Sequence, residues 1–106
     1  MEITNILGEE EFDRELNSNK LVLVDFKASW CEPCKLQAEV LSQFVTKIGD
    51  RVKVLKVDID ENPTLAKKHQ ISLLPTLVLF CLGTERERKT GLTSLDALSS
   101  LIIKYI

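Results

Sequence analysis

Glycine and proline are scarce in this chain, four and three of 106 residues. No stretch has the composition of a linker, and no internal repeat or low-complexity segment interrupts the sequence, so one domain spanning 1–106 is expected. Long apolar runs are missing too; none approaches the ~20 residues that a membrane-spanning helix requires. Neither sign of charge is in surplus. Lys and Arg number 14 against 16 Asp and Glu, a net charge of −2, which gives no electrostatic case for nucleic acid or an anionic membrane. The glycine pattern of a dinucleotide site is absent, so no such cofactor is expected to be bound. There are three cysteines and one histidine. Zinc normally takes four ligands, and Cys81 and His69 do not supply a second pair, so no metal is expected. The opening residues, Met1-Glu2-Ile3-Thr4-Asn5, lack the charged-then-apolar order of an export signal, which makes the cytoplasm the expected compartment. In that reducing setting three cysteines point to chemistry or burial rather than to a disulfide framework.

What is present is the mixture of a globular chain with one core, 44% hydrophobic and 28% charged. Ile3 to Leu7 opens it as a short apolar edge strand. Glu9 to Asn17 carries Phe12 and Leu16 at i, i+4, with Glu9, Glu10 and Glu11 placed to meet the positive end of a helix dipole. Leu21 to Phe26 is near-continuously apolar, as a central strand covered on both faces should be. Leu36, Val40, Phe44 and Ile48 recur every four residues, with Leu41 and Val45 beside them, which predicts a helix that Pro33 opens and Gly49 stops. Val52 to Val57 is a second β-branched run. Asn62-Pro63 is the expected N-cap and first residue of a short helix reaching about Gln70. Thr76 to Leu82 is the third strong strand, Gly83-Thr84 a turn, and Glu85 to Thr90 a polar edge strand. Thr93 or Ser94 caps a last helix with Leu95, Leu98, Leu101, Ile102 and Tyr105 at helical spacing. The order β-α-β-α-β-α-β-β-α predicts an α/β fold. Its mixed sheet has five strands, the first parallel through right-handed crossovers and the last two antiparallel, with four helices on its two faces.

The stretch Trp30-Cys31-Glu32-Pro33-Cys34-Lys35 falls where a strand hands over to a helix. A thiol at a helix N-terminus meets unpaired N–H groups and the positive end of the dipole, so it ionises more easily, and the thiolate is the reactive form. Cys34, three residues on, lies on nearly the same helix face and can reach Cys31. Such a pair has four readings. Half a zinc site lacks its other half. A permanent disulfide across two intervening residues restrains the unfolded chain little. Two unconnected thiols would be small core hydrophobes, against which Trp30, Pro33 and the strand-to-helix context argue. The fourth reading is a redox dithiol.

These residues resemble the thioredoxin family over nearly the whole chain. The resemblance rests on Asp25-Phe26, on Ala28 to Lys35, on Asp58-Ile59-Asp60-Glu61-Asn62-Pro63, on Leu74-Pro75-Thr76, and on Gly83 and Gly91, in the family's order and separations. It implies a thioredoxin fold and a protein-disulfide reductase. Electrons would come from NADPH through a thioredoxin reductase, and disulfide-containing proteins would be the substrates of a chain expected to be monomeric. Cys31 would be the exposed nucleophile and Cys34 the resolving thiol one turn deeper. Asp25 would be a buried acid with a raised pKa, the general base for Cys34. The alternative reading of Asp25 is an acid at a strand end facing water. Lys56, in the neighbouring apolar run, is either the partner of Asp25 or an ordinary snorkelling lysine. The Leu74–Pro75 bond would be cis and pack against the dithiol, where the X–Pro base rate alone favours trans. Trp30, Glu32, Pro33, Leu73, Leu74, Pro75 and Gly91 would bind substrate. Cys81, between Phe80 and Leu82, is expected to be a small buried hydrophobe, able to link two chains if it faces outward. His69 is expected on the surface of a short helix.

Four residues depart from the family pattern: Glu32 for glycine, Lys27 for an aromatic, Glu39 for proline and Leu73 for a small residue. All lie near the expected binding face and bear on partner choice. Glu32 beside Cys31 disfavours a second negative charge and should make the couple more reducing, with Lys27 expected to offset part of that charge. The competing function is a thioredoxin-like binding module with incidental redox activity. A dedicated oxidase or isomerase is a further reading, away from which Glu32 and the missing export signal point.

Overall fold

The near-continuous apolar run becomes the middle of a sheet. In the computed structural model, which describes residues 3–106, the strands are β1 (Ile3–Asn5), β2 (Leu21–Lys27), β3 (Lys53–Asp58), β4 (Thr76–Cys81) and β5 (Thr84–Thr90). The helices are α1 (Glu9–Ser18), α2 (Glu32–Ile48), α3 (Pro63–Lys68) and α4 (Leu95–Ile102). Met1 and Glu2, where the segment weighed as an export signal begins, lie outside the described residues. The strand order is β1-β3-β2-β4-β5. β3 runs parallel to both β1 and β2, while β4 is antiparallel to β2 and to β5. The parallel pairing of the first three strands and the antiparallel pairing of the last two are as the pattern predicts. The reversal between β2 and β4 has no local signature, because α3 and the loop after it leave either direction open.

Alternation along β2 sorts the core into two layers. Leu21 and Leu23 face Leu41 and Phe44 of α2 and Leu98 and Ile102 of α4. Val22, Val24 and Phe26 face Phe12 of α1 and Leu65 of α3. Each fully buried side chain of this size contributes about 1.5–3 kcal/mol. Truncating Phe44, which has no exposed surface, to alanine would cost about 3–5 kcal/mol and loosen α2 from the sheet.

Three local expectations are corrected, and a fourth, the Asn62 cap, holds by position but not through its side chain. The buried face of α2 is Cys34, Gln37, Leu41, Phe44 and Val45, while Leu36 is 53% exposed. The stripe thus runs from Cys34 through a glutamine whose polar atoms find partners, which takes the place predicted for Leu36 one residue before it. Asn62 is the N-cap of α3 by position, its carbonyl accepting from Ala66 N–H at 3.1 Å, but its side chain makes no capping bond. Its Oδ1 accepts from Gly8 N–H at 2.7 Å and its Nδ2 donates to the Ile6 and Asp58 carbonyls at 3.1 Å, so it is a buried strut joining the β1–α1 and β3–α3 connections. The β4–β5 turn is Leu82-Gly83, both with positive φ as a two-residue hairpin loop requires, one residue earlier than expected. His69 is half-buried rather than exposed, and it lies just past the end of α3. Its ring sits 5.2–5.8 Å from those of Phe12, Phe26 and Phe80, and its Nε2 is buried with no hydrogen-bond partner among the described residues. Burial first, and the Lys68 charge second, hold its pKa below the ordinary value.

At the last helix Ser94, rather than Thr93, is the cap; its Oγ accepts from Ala97 N–H at 3.1 Å. Cys81 is half-buried against the α2/α4 layer and unbridged.

Candidate active site

Parity along β2 continues past Leu21 and Leu23 to Asp25, which therefore points toward the start of α2. The residue is 1% exposed, and neither carboxylate oxygen has a hydrogen-bond partner among the described residues. Desolvation raises its pKa from 3.8 to about 7; the charges of Lys56 and then Lys27 pull the other way. Lys56 lies opposite Asp25 in the β2–β3 register, yet among the described residues no ion pair joins them. Its part is a nearby positive charge, not a bound partner.

The chain leaves β2, turns through Ala28 to Trp30, and enters α2 with Cys31 as N-cap. Cys34 N–H donates to Cys31 Sγ at 3.2 Å, a contact that places a helix-end donor on that sulfur. Cys31 and Cys34 are joined as a disulfide, with 5.3 Å between their Cα atoms. Both are covered, Cys31 at 5% and Cys34 at 3% exposure. The expectation of an exposed Cys31 is thus corrected for the bridged form, because Ala28, Ile59 and Leu74 pack around the pair.

What separates the two sulfurs is the space each borders. Cys31 lines a groove of about 370 Å³ with Trp30, Glu32, Pro33, Ile59, Leu73 and Leu74. Cys34 lines a different chamber of about 220 Å³ with Asp25, Lys56, Ser29 and Ala38. The two spaces share no lining residue.

Trp30 stands 66% exposed on the groove rim, its Nε1–H donating to Asp60 Oδ2 at 2.9 Å. Leu73, 61% exposed, stands on the facing rim, and the Leu74–Pro75 bond is cis. Gly91 N–H donates to the Pro75 carbonyl at 2.8 Å, so the loop after β5 backs the proline. Glu32 pairs with Lys35 at 2.8 Å, whereas Lys27 pairs with Asp58 at 3.7 Å; the expected Lys27 offset of Glu32 is therefore supplied by Lys35. Glu39 is exposed on α2. Among the described residues no cluster of His, Cys, Asp or Glu could hold a metal ion, and no helix is long and apolar enough to cross a membrane.

The family model for Thioredoxin matches residues 3–104. Thioredoxin of Chlamydia trachomatis is 41% identical over 103 residues, covering 97% of this chain and 99% of its own. Thioredoxin of Rickettsia felis is 37% identical over 105 residues, covering 98% and 100%. A mutant thioredoxin of Halobacterium salinarum superposes with a TM-score of 0.90 at 38% identity, covering 98% of this chain and 90% of that one. The solution structure of oxidised thioredoxin from Plasmodium falciparum gives 0.86 at 33%, covering 98% of each. The chain belongs to the thioredoxin family.

With the family goes its class of chemistry: the protein is a thiol–disulfide oxidoreductase, and a binding module with incidental redox activity is not favoured. The thioredoxin site draws on residues that sequence reasoning had left unassigned. Asp60 holds Trp30, and Ile59 and Ile71 floor the groove. Behind the site, and lining neither space, Gln37 is fully buried and bound to Thr93. Its one signal was position, three residues after Cys34 and four before Leu41.

Proposed function

We propose that this thioredoxin-family protein reduces protein disulfides, Cys31 attacking and Cys34 resolving. The observation that carries the proposal is the division of the dithiol between two spaces, Cys31 on the groove and Cys34 on the chamber that holds Asp25. The Cys31 thiolate attacks one sulfur of a substrate disulfide, forming a mixed disulfide and releasing the other sulfur as a thiolate. Asp25 takes the proton of Cys34, whose thiolate attacks Cys31 Sγ. The Cys31–Cys34 bond forms, the mixed disulfide breaks, and the substrate leaves as a dithiol two electrons richer. A base poised near neutrality is suited to that proton. Lys56 sets its poise through charge. Trp30, Glu32, Pro33, Leu73, Leu74, Pro75 and Gly91 form the surface for an extended substrate segment. NADPH, through a thioredoxin reductase, supplies the electrons; the protein works as a single-domain monomer in the cytoplasm.

Insulin reduction by dithiothreitol tests the chemistry, and NADPH consumption with a thioredoxin reductase tests the electron source. Wild type should accelerate insulin reduction, and Cys31→Ser should not. Equal rates for the two would refute the assignment. Alkylation of the reduced protein at neutral pH should modify Cys31 first; prior labelling of Cys34 would reverse the roles.

A further inference from the structure

Gln37 is the buried polar side chain of α2, with no exposed surface. Its Nε2 donates to the Thr93 carbonyl at 3.0 Å, and its Oε1 accepts from Thr93 N–H at 2.8 Å. One side-chain amide thus satisfies both main-chain groups of one residue, as a neighbouring strand would. The partner lies 56 positions away, in the loop between β5 and α4. That loop is fixed at its other end by the Gly91 N–H bond to Pro75. Between the two anchors Leu92 is held 52% exposed. The clamp is therefore a strut from the dithiol helix, one turn past Cys34, to the segment that backs the cis-proline.

We propose that Gln37 is a positioning residue for protein substrates: its amide fixes the Gly91–Thr93 loop against α2, so that Leu92 stands as an apolar wall of the docking surface at a set distance from the dithiol. The inference rests on the oxidoreductase function proposed above. Neither Gln37 nor Leu92 touches the reacting sulfurs, so a disulfide too small to reach the loop is indifferent to the clamp. A folded protein is not. Leucine at position 37 matches the volume but leaves Thr93 N–H and C=O unpaired in a buried site, which the loop relieves by moving outward to water.

The experiment measures kcat and KM for two substrates, insulin and the small aromatic disulfide dithionitrobenzoate, with NADPH and a thioredoxin reductase as the electron source, because dithiothreitol reduces dithionitrobenzoate unaided. The proteins are wild type, Gln37→Leu and Leu92→Ser. For insulin, Gln37→Leu should raise KM about tenfold, the size expected from losing a buried hydrogen-bond pair, with kcat nearly unchanged. Its rate with dithionitrobenzoate should match wild type. Leu92→Ser alters an exposed side chain and leaves the fold in place; it should raise the insulin KM in the same direction. A Gln37→Leu protein that slows both substrates equally would overturn the proposal, placing the clamp's effect in the dithiol itself. So would a Leu92→Ser protein with an unaltered insulin KM, and this arm decides should Gln37→Leu fail to fold. Wild type inert toward both disulfides would refute the oxidoreductase function instead, and this inference with it.

Discussion

Replacing Asp25 by asparagine should shift the stability of the oxidised protein by an amount set by pH, in the variant's favour as pH rises. Burial lifts the Asp25 pKa from 3.8 to about 7. Below pH ~4 the carboxyl is protonated in both folded and unfolded chains and contributes no pH-dependent difference. Between pH ~4 and ~7 the folded chain keeps a proton that the unfolded chain has released, so stability falls as pH rises. Above pH ~7 the folded chain carries a buried carboxylate whose oxygens lack hydrogen bonds among the described residues, and the full cost is present. A rise of that size is worth about 4 kcal/mol, at ~1.4 kcal/mol per pH unit. Asparagine keeps the shape and cannot ionise. Its own unpaired amide imposes an offset of about 1–3 kcal/mol, the same at every pH. The diagnostic is therefore the change between two pH values. Urea unfolding of both oxidised proteins at pH 4 and pH 8 should show Asp25→Asn gaining about 4 kcal/mol on wild type, roughly 15 °C in midpoint temperature. A stability difference that is the same at both pH values would refute the assignment of a buried, proton-holding Asp25. In the reduced protein the same variant should slow mixed-disulfide resolution while leaving the first attack by Cys31 intact.

Lys56→Met removes the larger of the two charges that favour ionised Asp25, so the Asp25 pKa should rise further; an unchanged carboxyl titration followed by NMR would show that Lys56 is too well solvated to matter. His69→Phe should gain stability on wild type as pH falls below 6.5. The unfolded histidine takes up its proton there before the folded one, whose pKa is depressed, so the wild type alone loses stability on acidification. Parallel denaturation curves at pH 5 and 8, with no relative gain, would refute the aromatic-cage explanation. Glu32→Gly should make the couple less reducing by about 10–20 mV, a modest figure because Lys35 already neutralises much of that carboxylate. Equilibration with glutathione reads it, and a more reducing variant would reverse the sign.

Much of this was legible in sequence because it is local. The apolar run Leu21–Phe26, the helix start at Pro33 and the stop at Gly49 each follow from a few adjacent residues. The resemblance to thioredoxins then supplied a cis Leu74–Pro75 and a buried Asp25, which composition and spacing left open. What escaped notice depends on partners distant in the chain. Gln37 carried no signal because the groups that satisfy it belong to Thr93. Asn62 had the local signature of a helix cap, yet Ile6 and Gly8 claim its side chain. His69 reads as polar until Phe12, Phe26 and Phe80 close around it. Lys27 was expected to offset the charge of Glu32 and is instead drawn to Asp58, its cross-strand neighbour.

The separation of the two spaces around the bridge has a consequence for how the site is supplied. On the function proposed above, a docked protein would cover the entrance beside Trp30 and Leu73, while the one beside Ser29 and Lys35 shares no wall with it. Electrons and protons would then travel by different doors. Asp25 would return its proton to bulk water with the client still attached, so that a tightly seated client would not stall the turnover it came for.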